Sequence, residues 1–125
     1  MLNKGVIKME YREALINFLS KVQERENIHE NTVGKTQFPM LEPSPATFHV
    51  IKGRKFDKVV RKSKGNNESV YAFINKETGG IIKPAGWKQP EPNKLERGNI
   101  FNEDCLAGTN RYGVDYIRYD NTPYK

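Results

Sequence analysis

The sequence predicts an α+β fold: one N-terminal amphipathic helix packed on an antiparallel sheet of four to five strands, with proline-rich loops. Three observations predict it. One apolar stripe at helical spacing lies near the N-terminus. Strand-length runs rich in β-branched and aromatic residues follow, separated by glycine- and asparagine-bearing turns. Pro39, Pro43, Pro45, Pro84, Pro90 and Pro92 fall between these runs rather than inside them.

The stripe consists of Tyr11, Leu15, Phe18, Leu19 and Val22, at i, i+4, i+7, i+8 and i+11. That spacing lines one face of a helix over residues 9–26. Glu10 and Glu13 near its start and Lys21 and Arg25 near its end suit the helix macrodipole. The stripe is expected to pack on the sheet, burying Leu15, Phe18, Leu19 and Val22 with Val60 and Ile74; a partner-binding helix is the alternative. Residues 27–46 read as a proline-rich connector in which Phe38, Met40 and Leu41 could pin the chain across the core.

Residues 47–125 supply the sheet and its loops. The expected strands are Thr47–Ile51, Arg54–Ser63, Ser69–Asn75, Gly80–Lys83 and Gly113–Tyr119. Lys64–Glu68 and the glycines of Lys76–Gly80 are turn signals, so the middle three strands form a meander with SVYAFIN at its centre. Pro84–Gly98 reads as loop.

The chain has 125 residues, the size of one domain (1–125), and 36% are apolar. A mean hydropathy of -0.78 leaves room for loops and tails. Cys105 is the only cysteine, so no internal disulfide is expected. No run resembles a signal peptide or the roughly 20 apolar residues of a membrane span, and a reducing cytoplasm is the expected compartment.

Charge is uneven. Residues 1–45 sum to zero, so residues 46–125 carry the whole net +6. Lys52, Arg54, Lys55, Lys58, Arg61, Lys62 and Lys64 crowd into one segment with Asp57 as its only acid. Such a segment is a solvated strand guarded by lysines, a phosphate-binding track, or a surface for an acidic protein. Tyr71 and Phe73 share one side of SVYAFIN, with Val70, Ala72 and Ile74 on the other. They are either core or an open pair on which bases stack beside the basic strand. Trp87 is either a loop anchor or a contact hot spot. Arg97 pairs with a carboxylate or contacts phosphate.

Catalytic patterns are weak. His29 and His49 lack the spacing of an acid–base pair, though a two-histidine nuclease is conceivable. No Cys-x-x-Cys or His-x-x-x-His element points to metal, and AGTNRYG at Ala107–Gly113 lacks the lysine of a P-loop. Cys105 reads as a small apolar filler. No catalytic residue, metal or cofactor is expected.

Three blocks carry a resemblance: GRKFDKVV at Gly53–Val60, SVYAFINKETGGIIKPAGWKQP at Ser69–Pro90, and RGNIF at Arg97–Phe101. Together they resemble small uncharacterised basic proteins of tailed bacteriophages and large DNA viruses. Gly80 stands where an acidic residue is common in that family, and Gly86 where serine is common. The resemblance implies a viral origin, and hence the cytoplasm of an infected host cell or the virion. The resulting expectation is an accessory protein that binds DNA or RNA through the seven basic residues with Tyr71, Phe73, Trp87 and Arg97. The alternatives are a protein-interaction module (a minor virion component or an inhibitor of an acidic host protein) and, third, a small nuclease. No membrane partner is expected.

Overall fold

The computed structural model describes residues 10–34 and 44–115. Helix α1 spans Tyr11–His29 and runs into one turn of π-helix at Glu30–Gly34. At its start the Glu10 N–H donates to Glu13 at 3.4 Å, half of a capping box. The helix thus outruns the expected 9–26, and the first part of the expected connector is helical. Its end is held by side chains: Asn31 donates to the Asn27 carbonyl at 2.8 Å and Thr32 to that of Ile28 at 2.7 Å. Residues 35–43, with Phe38, Met40 and Leu41, lie outside the described residues.

Five strands form one antiparallel sheet in the order β1 (Thr47–Ile51), β2 (Phe56–Ser63), β3 (Asn67–Asn75), β4 (Gly80–Ile82) and β5 (Glu96–Asn99). A small hairpin of β6 (Thr109–Asn110) and β7 (Gly113–Val114) stands apart from it. The fold is α+β, and SVYAFIN is central, paired with β2 on one side and β4 on the other. Strand Glu96–Asn99 begins inside the expected Pro84–Gly98 loop. It lacks β-branched residues and pairs antiparallel with β4. Residues 116–119 of the expected last strand lie outside the described residues.

Turn chemistry explains the meander. Gly65 and Asn66 both take positive φ, 84° and 64°, in the β2–β3 loop, as a tight hairpin requires. Between β3 and β4, Asn75 Oδ1 accepts from the Glu77 and Thr78 N–H groups at 2.8 and 3.2 Å. Gly79 closes that turn at φ 82°, where a Cβ would also meet the Phe101 ring at 2.7 Å.

The main core lies between α1 and the sheet. It joins Ala14, Leu15, Phe18 and Val22 to Val59, Tyr71, Ala72, Ile74, Ile81 and Ile100, with Leu19 half-buried at the margin. Val60 is buried but belongs to the opposite side of the sheet, one residue out of phase with Val59. A register shift at Val59/Val60 pairs Val59 with Ala72 but Val60 with Val70. Tyr71 is therefore the extra residue of a β-bulge, which re-aims side chains locally.

Polar clamps fix the helix. The Tyr11 hydroxyl donates to Asp57 at 2.8 Å. Arg25 donates to the Tyr71 hydroxyl, to Thr109 Oγ1 at 3.0 Å and to the Asn110 carbonyl at 2.8 Å. Glu26 is 1% exposed. It accepts a two-pronged Arg111 fork at 2.9 and 2.7 Å and the Ala46 N–H at 2.9 Å, with Arg61 at 3.7 Å. Burial pushes its carboxyl up, but the Arg111 and Ala46 hydrogen bonds and the Arg111 and Arg61 charges outweigh that and hold it below the usual glutamate range.

Two outcomes follow for stability. Phe18→Ala should cost about 3–5 kcal/mol in urea denaturation, the range for emptying a buried aromatic site; a loss under about 1 kcal/mol would make the helix peripheral. The stability from Glu26 should be fully present above its ordinary value of 4.5 and fall away as pH drops through its lower folded value. Glu26→Gln should remove that acid dependence at a cost of about 3–5 kcal/mol near neutral pH.

Candidate functional site

The basic segment does not form one patch, because a strand's pleat divides it. Successive side chains along β2 point to opposite sides. Asp57, Val59 and Arg61 face α1, whereas Phe56, Lys58, Val60 and Lys62 face the other way. Lys52, Arg54 and Lys55 are exposed in the β1–β2 loop and Lys64 in the β2–β3 turn. At about 3.3 Å per residue the two ends are roughly 30 Å apart.

The helix-facing members are consumed internally. Asp57 is buried and takes the Tyr11 hydroxyl and the Gly53 N–H at 3.2 Å, with Lys76 at 3.9 Å. Burial, and then the hydrogen bond to Asp57, raise the Tyr11 hydroxyl well above its usual range. Arg61 is placed against Glu26 and over the Tyr112 ring, 5.0 Å from its centroid. It belongs to the helix clamp and not to an outward basic track.

Three more expected contacts are corrected. Tyr71 is 0% exposed; its hydroxyl donates to the Asn110 carbonyl at 2.6 Å and its ring meets Phe48 edge-on at 5.2 Å. The bulge turned it toward the helix. Phe73, 3% exposed, is buried on the other side, edge-on to Phe56 at 6.4 Å. Neither ring is open to a base. Arg97 forks onto Glu91 at 2.6 and 3.2 Å and donates to the Leu95 carbonyl at 2.8 Å, so its cation is already paired.

Trp87 remains outward. It is 43% exposed, and the Lys58 ammonium sits 4.2 Å from its ring centroid. Its loop is pinned: the Ala85 and Gly86 N–H groups donate to the Gln89 carbonyl at 3.0 and 3.3 Å, and Glu91 N–H to the Lys83 carbonyl at 2.9 Å. A shallow recess of about 280 Å³ opens between this loop and Ser69–Val70. A Cβ on Gly86 would meet nothing within 4 Å, so the serine common in the resembling proteins fits there. An acidic residue at Gly80 would run into the Glu96 side chain at 2.1 Å. Glu96 occupies that place instead, accepting from Thr78 at 2.9 Å.

Two groups escaped the sequence argument. Arg111 and Tyr112 lie in the β6–β7 turn, 85 residues from Glu26, and Tyr112 is 64% exposed with Arg111 at 5.1 Å. The one available signal was Glu26 itself, which continues the Phe18–Val22 stripe at the next i+4 position.

The two histidines lie on different elements. His29 is on the helix, while His49 pairs with Val60 and so faces the opposite side of the sheet. Cys105 is buried in the core, and burial raises its thiol. Among the described residues no group of three or more His, Cys, Asp or Glu side chains could hold a metal ion. Nor is any described helix long and apolar enough to cross a membrane.

Arg61→Ala should therefore lower the unfolding free energy measured in urea by roughly 1 kcal/mol or more, while Lys62→Ala stays within about 0.5 kcal/mol. Equal effects would mean that Arg61 is not part of the clamp.

No curated protein and no solved structure matches the chain. A family model, described as a family of unknown function (DUF7717), matches residues 4–113, a span that takes in α1 and the whole of β1 to β6. With most of its length matched, the chain belongs to the DUF7717 family of unknown function.

Proposed function

We propose that this is a non-enzymatic accessory protein that binds single-stranded nucleic acid on the sheet face opposite α1. The observation that carries the reading is the exposed Trp87 ring with the Lys58 ammonium on it. An aromatic platform beside a cation track is how single strands are held with little sequence preference. Lys62 lies on the same face, and Lys52, Arg54, Lys55 and Lys64 prolong the positive field at both ends of β2. Asp57 and Arg61, on the other face, cancel one another in the charge count. The segment's net positive charge is therefore directed entirely to this face and its ends. A duplex offers no unstacked base to Trp87, so single strands are preferred.

The setting that goes with this reading is viral: the basic-aromatic block resembles phage and large-virus proteins, and the place of action is the infected cell's cytoplasm or the particle. Tyr112 favours a second reading, a protein-interaction module, because exposed Tyr beside Arg is typical of interface hot spots.

Fluorescence anisotropy with labelled oligo-dT, oligo-U and a duplex, at low and moderate salt, tests the proposal. Single strands should bind more tightly than duplex. The log–log salt slope should be about 0.7 per phosphate contact. Trp87→Ala should weaken binding by roughly 1–3 kcal/mol, and Lys58→Ala with Lys62→Ala should flatten the slope. Absence of binding at low salt, where screening is weakest, would overturn the reading.

A further inference from the structure

The end of the sheet where β2 begins and β3 ends holds a pocket of about 400 Å³, within the range of small-molecule sites. Arg54, Lys55, Phe56, Asn75, Lys76 and Glu77 line it. Their states differ in an informative way. Lys76 is committed: its ammonium donates to the Gly53 carbonyl at 2.9 Å and lies 3.9 Å from Asp57. It ties the β1–β2 loop down and shapes the rear wall. The side chains of Arg54 and Lys55 have no partner among the described residues, so both cations are free for an anion. Phe56 is half-buried and braced edge-on against Phe73, a fixed ring wall. Asn75 Oδ1 accepts two backbone N–H groups. That fixes the amide plane and leaves Nδ2 as an oriented donor with no partner among the described residues. Glu77 adds an exposed carboxylate.

A carboxylate is out of place in a site for bare phosphate, which it repels. It is in place in a site for a sugar, because hydroxyls donate to it, as the ribose hydroxyl does to the acidic residue of dinucleotide sites. Two cations for a phosphate, a ring and an amide donor for a base, and a carboxylate for a diol together describe one chemical class. We propose that this pocket binds a ribonucleoside 5′-monophosphate, with phosphate on Arg54 and Lys55, base on Phe56 and Asn75, and the ribose 2′-hydroxyl on Glu77. The Trp87 platform takes no part, so this site goes beyond the strand-binding reading and stands without it.

The test is a titration of the full chain, at low salt, with AMP, 2′-deoxy-AMP and inorganic phosphate, followed by ¹H–¹⁵N NMR. AMP should shift the resonances of Phe56 and Asn75. It should bind roughly tenfold more tightly than 2′-deoxy-AMP, the loss expected for one hydrogen bond to a charged group, and more tightly than phosphate. Arg54→Ala with Lys55→Ala should abolish AMP binding. Glu77→Ala should leave 2′-deoxy-AMP binding unreduced and erase the ribose preference. All three positions are exposed, and the spectrum itself reports that the variants fold. Equal affinity for the two nucleotides, a preference that survives Glu77→Ala, shifts confined to Trp87, or no binding would each overturn the proposal. Oligonucleotide binding without AMP binding would overturn this site and leave the strand track standing. AMP binding with a ribose preference but without oligonucleotide binding would do the reverse.

Discussion

The structure hangs on a buried carboxylate. Glu26 ends the apolar stripe of α1, and a charge in that position costs several kcal/mol unless its oxygens are fully partnered. The partners come from three separated parts of the chain: the Ala46 N–H before β1, Arg61 on β2, and Arg111 in the β6–β7 turn. Hydrophobic burial alone is non-directional and tolerates sliding. A slip of α1 by one residue would rotate Glu26 by about 100° and strand both it and Arg111. The ion cluster thus sets the rotation of the helix, and it ties the β6–β7 hairpin to a sheet with which it shares no ladder.

The same constraint sorts the charge of the basic segment. Arg61 must face Glu26, so the two-residue period of β2 sends Lys58 and Lys62 to the opposite side. Asp57, four residues before Arg61, then also faces the helix, where it receives Tyr11. One acid and one base are withdrawn into the interior, and the six cations left lie on the outer face and at the strand's ends. The segment's count of charges was plain in the sequence; their division between two faces required knowing which residue Glu26 would capture.

Much of the fold was legible because local chemistry specified it. The stripe from Tyr11 to Val22, the positive-φ pair Gly65–Asn66 and the Asn75–Gly79 turn each act within a few residues. What was not legible depends on distant partners. The bulge at Val59/Val60 has no local signal, yet it decides Tyr71, which the sequence left between core and open face, for the core, where its hydroxyl accepts from Arg25. The helix outran its expected end because Glu26 and Glu30 are anchored on Arg111 and on the chain before β1. Arg97 was open between two roles until Glu91, six residues away, was seen to fork onto it. Of the candidate site, Lys58 and Trp87 were legible as a cation and a lone tryptophan; their contact across 4.2 Å was not.

The outer face also has the rigidity that the proposed strand binding calls for. Ordering a mobile loop on binding would consume part of the interaction energy, so a preformed surface binds more tightly for the same contacts. Here Val60, Phe73 and Ile82 are buried on that side of the sheet, so the strands are braced from both faces. The Pro84–Pro90 bridge and the Gln89 and Lys83 carbonyls hold the Trp87 loop closed at its base. Phe56 is held by Phe73, and Lys76 ties down the loop that carries Arg54 and Lys55. The free cations are therefore mounted on fixed backbone, and what binding must still order is confined to their long side chains. That distribution favours a ligand recognised by its charge and its flat rings over one that needs a remodelled surface.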